Sequence, residues 1–146
     1  MTALLCDSGP LIAMFNVGDV NHERCGKLLL GWSDKLFVPE PVLGETCNFL
    51  RNNVRNGPSL EVQFLEAVTG RTEDFEVVDP APEDRLRAAE LSAQLVSGPL
   101  GYVDAVILAL AERLKVPAIA SVDFKFLGMA TPVSRLQPLR WVLQEQ

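Results

Sequence analysis

Four carboxylates stand where the surrounding residues favour burial. Asp7 closes the apolar stretch Ala3, Leu4, Leu5, Cys6, and Asp123 closes "AIASV". Asp104 adjoins Val103, Val106 and Ile107; Glu45 adjoins Val42 and Phe49. Singly, each has an ordinary reading. Asp7 caps a helix, Asp104 is a favourable first-turn acid, Glu45 is solvated and Asp123 belongs to a turn. Together they read differently. Four converging carboxylates repel one another and cannot all ionise without a counter-charge. Divalent cations supply that charge. An oxygen-only ligand set, with no His or Cys nearby, favours Mg²⁺, with Mn²⁺ as a possible substitute, over zinc. Most other acids (Glu73, Asp74, Glu83, Asp84, Glu90, Glu112) lie in polar company.

The elements that must position these acids alternate between strand and helix. Residues 3–7 predict a strand and 9–16 an apolar helix. A second helix follows in "DVNHERCGKLLLGW", with Asn21 as its N-cap. "KLFVP" is a short buried strand. "EPVLGETCNFLRNNV" is a helix with Pro41 in its first turn and Val42, Leu43, Phe49, Leu50 and Val54 at helical spacing. "NGP" breaks the chain before the helix "SLEVQFLEAVTG", and "DFEVVD" is a strand. "PEDRLRAAELSAQLV" predicts an amphipathic helix with Leu86, Ala89, Ala93 and Val96 on its apolar stripe. "SGPLG" is a loop and "YVDAVILALAERL" a strongly apolar helix. "VPAIASVD" ends in a strand, "FKFLG" is a short helical turn, and "PLRWVL" is an edge strand. Such alternation implies a mostly parallel sheet of four to five strands. Parallel sheets bind ligands at the carboxyl ends of their strands, where Asp7 and Asp123 would lie.

A chain of 146 residues suits one domain, 1–146. Its 48% hydrophobic and 22% charged content is ordinary for a soluble globular protein. No apolar run approaches the roughly 20 residues of a membrane span. No basic residues precede the first apolar run, so no signal peptide is expected and the protein reads as cytoplasmic. Cys6, Cys25 and Cys47 are odd in number and far apart, which supports neither a disulfide framework nor a zinc site. A net charge of −6 argues against a passive nucleic-acid binder but not against an enzyme that gathers cations. His22, the lone histidine, lies on the polar start of a helix and is not expected to act as a general base.

The stretches "LLCDSGPLIAMF", "VPEPVLGETCNFL", "GYVDAVILALAERLKVPAIASVDFKFL" and "PLRW" together resemble the PIN-domain family, and within it the VapC-type toxins of toxin–antitoxin pairs. The resemblance spans almost the whole chain in the family's order. It implies a three-layer α/β/α fold and a metal-dependent endoribonuclease. Asp7, Glu45, Asp104 and Asp123 carry over as the family's acids, with Asp7, Asp104 and Asp123 as metal ligands and Glu45 binding through water or orienting the nucleophile. Ser8 and Ser121 carry over as supporting hydroxyls; helix capping is the other reading of Ser8. In the implied reaction a water acidified by Mg²⁺ attacks phosphorus in line, leaving a 3′-hydroxyl and a 5′-phosphate. The implied partners are RNA, a VapB-like antitoxin and a second copy of the chain in a homodimer or a toxin–antitoxin hetero-oligomer; no membrane is implied. The chain departs from the pattern at Lys125, where many relatives carry a further acid.

Arg51 and Arg55 are four apart, so on a continuous helix they share a face that could meet RNA phosphates or simply be solvated. Lys125 has the same two readings. Three other functions remain open. One is a PIN nuclease that processes RNA without an antitoxin. Another is an inactive PIN scaffold, which retention of all four acids disfavours. The third is a phosphotransfer enzyme using Asp7, which would want an acid at Gly9.

Overall fold

Two three-residue strands, Leu4–Cys6 (β1) and Ala118–Ala120 (β4), lie side by side at the centre of the sheet. All six residues are fully buried, as strands covered on both faces must be. The computed structural model describes residues 2–70, 74–98 and 100–146. Leu36–Pro39 (β2) and Phe75–Val78 (β3) extend the sheet beyond β1, and Arg140–Trp141 (β5) extends it beyond β4. The order is β3-β2-β1-β4-β5, and every pairing is parallel. The expected sheet is therefore present with five strands, and β5 is at an edge. The chain steps outward from β1 to β3, then crosses back to place β4 on the other side of β1. That reversal opens a crevice at the carboxyl ends of β1 and β4.

Seven helices among the described residues cover the two faces. Of the helices Ser8–Phe15 (α1), His22–Gly31 (α2), Glu40–Asn53 (α3) and Gly57–Thr69 (α4), α1 packs on α2 and on α3, and α3 packs on α4. Pro82–Gln94 (α5) packs on Tyr102–Leu114 (α6), and Phe124–Val133 (α7) joins β4 to β5. The architecture is three-layer α/β/α. Ala105 to Ala111 of α6 are all buried, so the middle of this helix is enclosed on every side. No helix among the described residues is long and apolar enough to cross a membrane.

Four local expectations need correction. The apolar stripe expected on α5 faces outward, with Leu86 at 70% and Val96 at 78% exposure. The buried positions are Asp84, Ala88 and Leu91, because Arg113 and the Ala81 N–H draw the Asp84 carboxylate inward and set the helix's rotation. On α3, Thr46 is buried and Phe49 is exposed. That helix stops at Asn53, and Asn56 adopts φ 60°, so Arg55 lies in a turn and shares no helix face with Arg51. The turn expected at "FKFLG" is the start of a ten-residue helix. Pro132 sits in its last turn, where it forgoes a single hydrogen bond, and the Ser134 N–H still reaches Ala130 O at 3.0 Å. Asn21 occupies the N-cap position of α2, but its side chain makes no cap hydrogen bond. Glu73 and Pro99, within the segments read above, lie outside the described residues.

Candidate active site

Asp7 is held by both elements that meet at it. Its N–H donates to Ala120 O at 2.9 Å, continuing the β1–β4 ladder one residue past the strand. Its Oδ1 accepts from the Ser8 N–H at 2.8 Å, capping α1, and its Oδ2 accepts from Ser121 Oγ at 2.8 Å. The register pairs Cys6 with Ala120, so Asp7 and Ser121 are the next residues along. Asp123 caps α7, accepting from the Lys125 N–H at 3.0 Å and the Phe126 N–H at 3.2 Å. Its own N–H donates to Ser121 Oγ at 3.1 Å. The buried Ser121 hydroxyl thus joins the two aspartates. Asp7 thus caps α1 with one oxygen while the other meets Ser121.

Glu45 reaches the same place from α3, where it accepts a hydrogen bond from Ser8 Oγ. The Ser8 hydroxyl therefore serves an acid and not the cap. Asp104 arrives from the first turn of α6 and accepts a backbone hydrogen bond from Gly101. All four acids line one cleft of about 460 Å³, together with Ser8, Gly9, Gly101, Tyr102, Val103 and Val122. Gly9 permits the close approach of its walls: a Cβ there would come within 2.5 Å of Val122 Cγ2. Gly9 and Tyr102 were not among the residues singled out in sequence. Their neighbours Asp7 and Asp104 were the available signal.

The cleft is short of positive charge. Burial pushes Asp7 above the ordinary carboxylate range, hydrogen bonds from Ser121 and the Ser8 N–H oppose that, and Glu45 and Asp123 add to it. Asp104 is pushed up to about 7, first by burial and then by Asp7, Asp123 and Glu45. Other buried acids are different. Asp84 accepts from Arg113 Nε at 2.8 and 2.9 Å, and Glu112 receives two hydrogen bonds from Arg87, at 2.8 and 3.1 Å. Among the described residues, no salt bridge reaches Asp7, Glu45, Asp104 or Asp123. Nor do three His, Cys, Asp or Glu side chains among them stand close enough to ligate one ion directly. A cation in this conformation would be held partly through water, and Mg²⁺ characteristically keeps several waters.

The basic residues considered for RNA lie outside this cleft. Arg51 Nη1 is paired with Glu61 at 3.0 Å, and Arg55 borders a separate hollow beside Phe15 to Gly18. Lys125 is exposed on the first turn of α7, beyond Asp123. His22 is engaged elsewhere, its Nδ1 lying 2.7 Å from Ala13 O.

The model of the PIN domain family matches residues 4–131. The chain belongs to the PIN domain family. Solved structures similar to this PIN domain include the toxin VapC20 of Mycobacterium tuberculosis, titled a sarcin–ricin loop cleaving toxin. It has 21% identity and a TM-score of 0.76, over 86% of this chain and 93% of that one. A toxin–antitoxin complex from Klebsiella pneumoniae is similar at 18% identity and TM-score 0.65, over 85% and 89% of the two chains. VapBC2 of Rickettsia felis, bound to DNA from its promoter, is similar at 15% identity and TM-score 0.64, over 95% and 96%. A sequence search of curated proteins finds no match.

Proposed function

We propose that this PIN domain is a Mg²⁺-dependent endoribonuclease and the toxin of a toxin–antitoxin pair. The observation that carries the reading is the cluster of four acids, two of them raised by burial and mutual repulsion, in a cleft without a cationic partner among the described residues. The donor set is all oxygen, which suits Mg²⁺ or Mn²⁺. Asp7, Asp104 and Asp123 would hold the cation directly or through water, and Glu45 would bind it through water. When bound, the cation supplies an acidified water for in-line attack on phosphorus and charge to stabilise the phosphate oxygens. The chain's own residues do the positioning. Ser121 Oγ fixes Asp7 Oδ2 relative to the Asp123 backbone, and Ser8 Oγ orients Glu45. A bound cation would favour the ionised form of Asp104, because its charge would offset that of Asp7, Asp123 and Glu45.

The toxin role is supported by structural neighbours titled as toxins and toxin–antitoxin complexes. An antitoxin of VapB type would place a basic side chain against the acids, a pairing of complementary charge. The working form would be a homodimer or a toxin–antitoxin hetero-oligomer in the cytoplasm. The test is to incubate the purified chain, free of antitoxin, with cellular RNA in Mg²⁺ or Mn²⁺, then repeat with EDTA and with Asp7→Asn. Cleavage that needs both the metal and Asp7 supports the assignment. Cleavage persisting in either control, or none by wild type across a broad RNA panel, overturns it.

A further inference from the structure

Of the ten aromatic residues in the chain, seven are buried or half-buried. Phe15 and Phe64 meet edge to face in the core, as do Phe126 and Trp141. The three exposed ones are Phe49 at 42%, Tyr102 at 51% and Phe124 at 68%. Each stands beside a cleft acid. Phe124 directly follows Asp123. Tyr102 lines the cleft two residues before Asp104. Phe49 is four residues after Glu45 on α3, on the same helix face. Exposed rings are costly in water, and here all three gather on the elements that carry one acidic cleft.

We propose that Tyr102, Phe124 and Phe49 are stacking platforms for the nucleobases that flank the phosphodiester held in this cleft. The proposal rests on the nuclease reading of the cleft and adds to it the residues that grip the flanking bases. A phosphodiester seated against the four acids would leave its flanking bases toward the wall that Tyr102 lines and toward α3 and α7, which carry Phe49 and Phe124 next to the acids. Stacking uses a base's face, which a duplex hides and a single strand offers. It also supplies affinity without positive charge. That suits a chain of net charge −6 whose Arg51 is already paired with Glu61. A protein partner on the same rim would exploit apolar area but would not depend on nucleobases.

The test measures binding of short fluorescent RNAs to the full chain carrying Asp7→Asn, which keeps the strand intact. The probes are a single strand, its duplex and the same strand with abasic sites. The expected order is single strand tightest, with the duplex and the abasic strand clearly weaker. Tyr102→Ala and Phe124→Ala should each weaken single-strand binding by about 5- to 150-fold, the range that stacking of ~1–3 kcal/mol per base converts to. Phe49→Ala should act in the same direction. Tyr102→Phe and Phe124→Tyr should restore binding. The alanine losses should vanish on the abasic strand and leave the salt dependence unchanged, since no phosphate contact is removed. All three positions are exposed, so folding should be retained, and the abasic probe needs no rim mutation. Wild-type affinity in all three alanine variants, or equal binding of intact and abasic strands, overturns the proposal and leaves the rim to a protein partner. Wild-type cleavage, run in parallel, separates the two readings. Metal-dependent cleavage with an inert rim refutes stacking alone. Base-dependent binding without cleavage refutes the nuclease alone.

Discussion

Replacing Asp104 by asparagine should stabilise the metal-free protein above neutral pH. Asp104 is moved from its ordinary 3.8 to about 7 by burial and by three neighbouring acids. Between those two values the folded protein keeps a proton that the unfolded chain has lost. Stability tied to this group is therefore fully present below about pH 4 and is lost as pH rises through about 7. The full displacement sets a ceiling of ~4 kcal/mol. Asp104 is only part-buried, so solvent screening reduces the expected cost to about 2 kcal/mol. The asparagine carries no charge at any pH and escapes that cost. In chelator at about pH 8, the variant should resist urea more strongly by ~2 kcal/mol, or melt about 4–8 °C higher. Below about pH 4 the two proteins should converge. Tryptophan fluorescence reports the transition from Trp141, packed edge to face on Phe126. Saturating Mg²⁺ should reverse the order, stabilising wild type by ~2.7 kcal/mol at a hundredfold excess over Kd. A variant no more stable than wild type in chelator at high pH would refute the reasoning, because the cleft would then carry no uncompensated charge.

Ser121→Ala removes the donor to Asp7 and the acceptor for the Asp123 N–H. RNA cleavage at neutral pH should fall by about 10- to 100-fold, and the acid limb of the pH–rate profile should move up because Asp7 loses a hydrogen bond that holds it down. Gly9→Ala drives a methyl into the stiff, β-branched Val122, so denaturant titration should show a loss of ~1–3 kcal/mol. Arg113→Ala strands the buried Asp84 carboxylate. Because Arg113 is partly exposed, the loss should be about 2–4 kcal/mol, and adding Asp84→Asn should recover part of it in the same titration.

The gathering of the four acids in one cleft was legible because each interrupts or abuts a short apolar run, and because a parallel sheet sends every strand's carboxyl end to one edge. That rule places Asp7 beside Ser121 through the Cys6–Ala120 pairing. Burial alone would have misled. Asp84 is as deeply buried as Asp7 yet has a structural role, and what separates them is Arg113, 29 residues away in sequence. The same long-range pair explains the misread α5 stripe, since it turns a carboxylate inward and leaves Leu86 outside. Arg51 and Arg55 looked like a face because a spacing of four implies one only while the helix continues, and Asn56 ends up left-handed beyond its stop. The rim aromatics were invisible for a different reason. Phe49 has helical apolar spacing and reads as core, and only the packing shows that Thr46 takes the inward position.

Calorimetric titration of Mg²⁺ into the chelator-stripped protein near pH 7, in two buffers of different ionisation heat, tests most directly whether the four acids complete their charge with a divalent cation. Asp104 is about half protonated there, so binding should expel roughly half a proton or more. Asp7→Asn and Asp104→Asn should each weaken binding by at least about tenfold, and Asp104→Asn should also abolish most of the proton release. Wild type that takes up no Mg²⁺ at millimolar concentration, or variants that bind it equally well with the same proton release, would contradict a cation-centred cleft.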